Sequence, residues 1–157
     1  MRHRQIIAVL ALVGLLVAVY LWLYKIGAIG TLQCGAGGCE TVQTSRYAEL
    51  FGVPVALYGV GGYAVLFALS LAGLQPRLIG SPGVTLTLAA LSTVGFLFSG
   101  YLTYLELFVI RAICRWCVAS AVVMTAIWVT AVAAVAPGAR ASSVGSRTSP
   151  LASDLEG

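Results

Sequence analysis

Two close pairs of cysteines are the residues in this 157-residue chain whose type and spacing could support redox chemistry. Cys114 and Cys117 form a Cys-Arg-Trp-Cys motif, and a spacing of three residues places both sulfurs on one face of a helix. The positive end of that helix and the neighbouring Arg115 would favour the thiolate, which is the reactive form of cysteine. This pair is therefore a candidate site of thiol–disulfide exchange.

The second pair has a different setting. Cys34 and Cys39 enclose the sequence Gly-Ala-Gly-Gly, which is flexible enough to close a small ring and to reopen it. A pair in a loop beside a pair at a helix start suggests a relay, in which thiols exchange from the loop to the helix.

The composition indicates which elements must position these cysteines. Hydrophobic residues make up 60% of the chain and charged residues only 9%, against about 25% charged in ordinary globular proteins. So few charges could not cover a water-soluble fold, and disordered chains are poor in apolar residues. The net charge of +4 is not gathered into a basic patch, so nucleic-acid binding is not expected. We therefore predict an integral membrane protein.

Four apolar runs reach the length of about 20 residues that a membrane-spanning helix needs. They are residues 6–24, 53–74, 79–105 and 116–139. The first run is expected to be a retained anchor and not a cleaved signal peptide, because aromatic residues stand where a cleavage site needs small ones. The predicted fold class is all-α, a bundle of four transmembrane helices. Residues 1–136 form this membrane-embedded redox domain, and residues 137–157 are predicted to be a disordered cytoplasmic tail.

The order of the spans places all four cysteines on one side of the membrane. The loop with Cys34 and Cys39 follows one crossing, and the motif with Cys114 and Cys117 follows three. Five Lys and Arg residues flank the other side and four flank this one, and such residues are enriched in the cytoplasm. We expect cytoplasmic termini and extracytoplasmic cysteine loops, where disulfides persist.

Three interpretations of the cysteines stay open from the residues alone. In the first, inert disulfides staple the loops of a structural or scaffold membrane protein. In the second, four thiolates bind zinc, although Cys34 and Cys39 are five residues apart and the only histidine, His3, is predicted on the opposite side. In the third, the pairs relay electrons to a molecule dissolved in the bilayer. Two pairs converging on one membrane face favour the relay.

Two longer segments resemble the vitamin K epoxide reductase family in its bacterial and archaeal form. One is CETVQTSRYAELFGVP followed by VALYG, which starts at Cys39 and contains Ser45. The other is YLTYLELFVIRAICRWCVASA, which contains Cys114 and Cys117. The resemblance covers roughly residues 6–136. The other quinone-linked thiol oxidase family, the DsbB type, carries its Cys-x-x-Cys in the first external loop, whereas here that motif comes second.

The resemblance implies a role for each matching residue. Cys34 engages a thioredoxin-like or DsbA-like partner, Cys39 passes electrons to Cys114, Cys117 acts at the quinone and Ser45 assists. The implied activity is that of a membrane thiol oxidase, which reduces a menaquinone or ubiquinone and drives disulfide formation in exported proteins. The metal-free site uses a quinone as its cofactor.

Two departures from the family pattern refine this expectation. Vertebrate members have a tyrosine four residues after the motif, where this chain has Ala121, which favours plain quinone reduction over epoxide reduction. Only about 20 residues, mostly polar, follow Ala136, which leaves no room for the thioredoxin-like domain that many bacterial members carry. The thiol partner is therefore expected to be a separate periplasmic protein.

Other residues have a structural interpretation beside a functional one. Trp116 could wall the quinone pocket or be an ordinary interfacial tryptophan. Glu106, at the end of the third run, is expected to be a solvated boundary charge, with a proton route to the quinone as the alternative. Arg111 and Arg115 are expected to reach the lipid headgroups. Residues 40–51 are predicted to form a short helix on the membrane surface, of which Ser45 could simply be a polar face.

Overall fold

The computed structural model describes residues 2–34, 38–77 and 81–136. Four helices in these ranges are long and apolar enough to cross a membrane, which confirms the predicted all-α bundle. They are α1 (Arg2–Lys25), α3 (Val55–Ala72), α4 (Pro82–Tyr104) and α5 (Arg115–Val135), and a π-helical turn (Leu105–Ile110) extends α4. The predicted tail, the start of the third apolar run and the end of the fourth lie outside the described residues.

The long helices follow from runs that are apolar on all sides. In lipid the backbone polar groups must bond within their own segment, and a helix achieves this. Large apolar side chains such as Val94, Leu97 and Val122 remain about two-thirds exposed on the outer faces, where lipid would cover them. Pro82 stands in the first turn of α4, where its missing N–H group is not needed.

The helices do not contact one another equally. Helix α1 packs against α3 and α5, and α4 packs against α5, whereas α3 and α4 meet only sparsely. Small residues allow the close approaches: a Cβ atom at Gly14 would overlap the Tyr63 ring, and one at Gly95 would lie 2.8 Å from the Met124 sulfur. The uneven packing leaves space between α3 and α4.

The first loop contains helix α2 (Cys39–Thr44), a 3-10 turn (Arg46–Ala48) and an antiparallel hairpin of strands β1 (Glu49–Leu50) and β2 (Val53–Pro54). The predicted helix over residues 40–51 is therefore wrong in its second half, although a short helix is present.

The residues at the hairpin turn explain that error. Phe51 and Gly52 both have positive φ values, 54° and 76°, which a helix does not allow. Gly52 adopts this conformation without strain, and Pro54 has no N–H group for a continuing helix. The Phe51 side chain is 92% exposed at the tip of the hairpin.

A buried arginine ties the helices together at one end of the bundle. Arg4 is 4% exposed and donates hydrogen bonds to the carbonyl of Gly73, to the carbonyl of Ser81 at 3.0 Å and to the Thr85 hydroxyl at 3.1 Å. These partners lie at the end of α3 and the start of α4. The cysteines occupy the other end.

Candidate redox site

All four cysteines lie together at one end of the bundle: Cys34, Cys39 and Cys114 are buried in one cluster, and the partly buried Cys117 packs against it. Cys34 and Cys39 form a disulfide with their Cα atoms 6.1 Å apart, whereas Cys114 and Cys117 are free thiols. Cys39 and Cys114 have no exposed surface, and Cys34 is 5% exposed. The loop pair and the helix pair are therefore packed within a single apolar environment, which also includes Leu21, Leu32 and Val42.

Cys114 stands at the N-cap of α5, where helices have unpaired backbone N–H groups. Its sulfur accepts a hydrogen bond from the Cys117 backbone N–H at 3.4 Å. The hydrogen bond from the Cys117 thiol lowers the pKa of Cys114, with help from the backbone N–H groups of Cys117 and Trp116, while burial opposes the shift. The start of α5 thus stabilises a thiolate at Cys114.

Glu106 is part of the site, so its predicted position as a solvated boundary charge is wrong. The residue is 5% exposed, its Oε2 accepts the Cys114 backbone N–H at 3.1 Å, and its carboxyl group hydrogen-bonds with the Cys117 thiol. The cause is the π-helical turn Leu105–Ile110, whose wider turn carries Glu106 towards α5 before Arg111, at φ 54°, ends it.

Gln43 is a site residue that the sequence analysis missed. It is 7% exposed, and its Nε2 atom lies 3.9 Å from the Cys117 sulfur. Its backbone carbonyl accepts a hydrogen bond from Lys25 at 3.0 Å, and Lys25 also forms a 3.1 Å salt bridge with Glu49. The available signal was its position four residues after Cys39, which places both side chains on one face of α2.

A cavity opens beside Cys117, in the space between α3 and α4. Its volume of about 160 Å³ exceeds by far the roughly 10–15 Å³ that one water molecule needs. Side chains from all four long helices and from the first loop surround it, and most of them are apolar. The polar groups of its wall include Gln43, Ser45, Ser99, Glu106, Cys117 and Ser120.

The other two predicted site residues lie in different places. Ser45 lines the cavity, and its hydroxyl donates to the Val42 carbonyl at 2.7 Å, which closes the end of α2. Trp116 is not among the residues that line the cavity. Its Nε1 donates to the Gln33 carbonyl at 3.3 Å, and its ring centroid lies 5.0 Å from that of Tyr20. Trp116 therefore packs against the cysteine loop.

The zinc interpretation of the cysteines and the expected position of two arginines concern the surroundings of the site. In the described ranges no three or more His, Cys, Asp or Glu side chains are grouped so that they could hold a metal ion. Arg111 and Arg115 are both exposed beside the cysteine cluster.

One comparison with known proteins bears on this site. The family model described as "Vitamin K epoxide reductase family" matches residues 5–132. The match spans both cysteine pairs, the first loop and most of the four long helices.

Proposed function

Because the chain belongs to the vitamin K epoxide reductase family and is thus a multi-pass membrane oxidoreductase, we propose that it relays electrons from a thioredoxin-like partner to a membrane quinone. The observation that carries this proposal is the position of the cavity. Cys117 lines it and also packs against the buried cluster that contains the Cys34–Cys39 disulfide. A thiol pair that borders both a disulfide and an apolar cavity can exchange with the first and reduce a molecule in the second.

Electrons would enter at the loop disulfide. A thiolate of the partner attacks the Cys34 sulfur, which is the more exposed of the pair, and forms a mixed disulfide while Cys39 leaves as a thiolate. The partner's second thiol then releases the partner in its oxidised form. The loop pair is left as a dithiol carrying two electrons.

The next exchange would join Cys39 to Cys114. Both are fully buried within one cluster, so the attack of the Cys39 thiolate on a Cys114–Cys117 disulfide needs no water. The exchange restores the Cys34–Cys39 disulfide and leaves Cys114 and Cys117 as thiols. This combination of a loop disulfide and helix thiols is the one in the structure.

The cavity fits a quinone headgroup by its chemistry. An apolar wall with a few converging polar groups is typical of sites for small aromatic ligands. The Gln43 amide offers a hydrogen-bond donor there, and Cys117 is the thiol that borders the space. A quinone of menaquinone or ubiquinone type supplies a two-electron, two-proton acceptor, and the sparse contact of α3 with α4 leaves a route from the lipid.

The orientation completes the proposal. The cysteine end faces the extracytoplasmic side, where a separate DsbA-like protein would supply electrons and exported proteins would receive disulfides. The termini of the chain then lie in the cytoplasm, in agreement with the small excess of Lys and Arg there.

Turnover by the purified full-length protein tests this proposal. The protein is mixed with a reduced thioredoxin-like carrier and a quinone, and quinone absorbance is followed. We expect quinone loss that depends on both the carrier and the protein, and none with a variant in which Cys114 and Cys117 are both serine. Failure with menaquinone and ubiquinone analogues alike would favour a scaffold with inert disulfides.

A further inference from the structure

We propose that Glu106 is a catalytic residue that removes the proton from the Cys117 thiol and delivers it to the oxygen of the bound electron acceptor. This inference rests on the proposed quinone reduction and assigns the proton transfer that the cysteines alone do not explain. No motif marks Glu106; its position in the folded chain carries the argument.

Glu106 contacts every participant that the reaction needs. Its carboxyl group hydrogen-bonds with the Cys117 thiol and accepts the backbone N–H of Cys114 at 3.1 Å. It also lines the cavity beside Cys117. A general base must lie within hydrogen-bonding reach of the proton that it takes. Glu106 meets this condition, because rotation of the Cys117 S–H bond is enough to turn its proton from the Cys114 sulfur to the carboxylate.

The carboxyl group occupies this position at an energetic cost. Glu106 is 5% exposed within the apolar span Pro82–Ile110. No cation forms a salt bridge with it in the described ranges, where the salt bridge joins Lys25 to Glu49. Burial of a carboxylate without a cation is unfavourable, and ionisable side chains within membrane spans are usually functional. A purely structural role would be served as well by a neutral amide, which also accepts a backbone N–H.

The groups that face Glu106 define what its titration can depend on. On the α5 side these are the thiols of Cys114 and Cys117. Helix α2 contributes the neutral amide of Gln43, which lies next to the Cys117 sulfur. At the end of α1, Lys25 is directed to Glu49 and to the Gln43 carbonyl. On α3 the Tyr63 hydroxyl is hydrogen-bonded to Ser120.

The atoms and electrons balance with one proton from the solvent. Cys114 begins as a thiolate and Cys117 as a thiol. The Cys117 S–H bond breaks, the Cys114–Cys117 S–S bond forms, and the two sulfurs give two electrons to the quinone. Glu106 passes the Cys117 proton to one quinone oxygen and returns to its carboxylate. The other oxygen takes its proton from water, which yields the quinol.

The test compares the full-length wild-type protein with Glu106→Gln, Glu106→Asp and the control Glu40→Gln. Glu40 is an exposed glutamate of α2 that is neither in the cavity wall nor in the cysteine cluster. Each protein is assayed for quinone reduction with a reduced carrier between pH 6 and 9. Reduction of the Cys34–Cys39 disulfide by the carrier is measured separately, because that exchange needs neither Glu106 nor quinone and reports an intact fold.

We expect Glu106→Gln to lower kcat at neutral pH by about 100-fold or more, the usual contribution of a general base. Its rate should rise by about tenfold per pH unit, because Cys117 must then ionise unaided, whereas the wild type stays nearly flat. Glu106→Asp should keep the flat profile at a reduced kcat, and Glu40→Gln should match the wild type.

Several outcomes would overturn the inference while the proposed function stands. One is that the wild type turns over and Glu106→Gln turns over at the same rate. Another is that Glu106→Gln loses the same fraction of the wild-type rate at every pH, because loss of a structural contact would have that effect. If Glu106→Gln fails to exchange with the carrier, its fold is damaged and Glu106→Asp becomes the test. A steep rise of the Glu106→Asp rate with pH would then contradict the inference. An inactive wild-type protein would instead refute the proposed function itself.

Discussion

The two cysteine pairs share one apolar cluster, yet the surrounding chain holds them by different means. Cys34 and Cys39 are joined covalently at the point where the first loop enters the short helix α2. Cys114 and Cys117 remain thiols at the start of a long helix. The hydrogen bonds to cysteine sulfur in the described ranges, from Gln43, from the Cys117 thiol and from the backbone at the start of α5, all belong to this second pair.

This difference separates two chemical tasks. A disulfide that exchanges with another protein needs a backbone that can move towards that protein and tolerates both the closed and the open ring, which glycine-rich sequence allows. A thiol pair that reduces a small molecule needs fixed sulfurs and controlled protonation, which a helix start and buried polar groups provide. Breaking one pair should therefore leave the task of the other largely intact.

The largest effect is expected for Cys117→Ala. Without the thiol that borders the cavity, quinone reduction should fall below detection. The loop disulfide should still be reduced by the carrier, because that exchange involves its own adjacent sulfurs. Quinone absorbance measures the first and gel-shift alkylation of the loop thiols the second. Ordinary turnover in this variant would show that Cys117 is not the terminal thiol.

Cys39→Ala should interrupt the relay at its entrance. In this variant the loop disulfide cannot form, so the Cys34 thiolate instead attacks the disulfide of the oxidised carrier. The mixed disulfide that results lacks Cys39 as a resolving thiol, so it should accumulate. Non-reducing electrophoresis should show a thiol-sensitive band heavier than the 16.3 kDa chain by the mass of one carrier. Cys34→Ala is the matched control and should show no such band. If the heavier band appeared in Cys34→Ala, electrons would enter at another cysteine.

Gln43→Leu should have an intermediate effect on the helix pair. It removes the Nε2 donor 3.9 Å from the Cys117 sulfur while keeping a side chain of similar size. Cys117 gains negative charge as it reacts, and loss of one hydrogen bond to a charged sulfur corresponds to about 1.5 kcal/mol, so we expect roughly tenfold slower quinone reduction. Carrier exchange at the loop disulfide serves as the control and should be unchanged. An equal slowing of both reactions would indicate a distorted α2 instead.

The smallest effect concerns the pH dependence of Cys114. Because its pKa lies below that of an ordinary thiol, the thiolate persists as the pH falls and is lost only when the pH passes through the lowered value. The midpoint of alkylation against pH, measured by mass spectrometry, should therefore lie below the roughly 8.5 of a free cysteine. In Cys117→Ala this midpoint should rise, because the main stabilising hydrogen bond is gone. A midpoint unaffected by the substitution would contradict that origin of the shift.

The four spans and the gathering of the cysteines at one end were predictable from the sequence. Apolar runs of membrane length have few alternatives to a helix, and the order of the crossings then fixes which loops share an end. The turn signals of Gly52 and Pro54 were also present in the sequence. The apolar and aromatic residues around them suggested a surface helix, where the chain forms a hairpin.

The details of the site depend on tertiary structure that no local pattern records. The length of the third apolar run indicated that Glu106 lies at the membrane boundary, but a π-helical turn carries it inward. Spacing placed Trp116 beside the reactive cysteines without indicating that its indole donates to the Gln33 carbonyl and is not part of the cavity wall. The contact of Gln43 with Cys117 joins residues 74 positions apart.

The arginine at the opposite end of the bundle has a consequence for biosynthesis. Arg4 lies near the beginning of the first span, but its partners Gly73, Ser81 and Thr85 are 69 to 81 positions further along the chain. None of them has been synthesised when α1 enters the bilayer, so the guanidinium group must stay among water and headgroups at that stage. Its burial becomes favourable only after α3 has crossed and α4 has begun to return. The partners of Arg4 are therefore synthesised late. This end of the bundle should close only when the second pair of long helices, α4 and α5, inserts into the membrane.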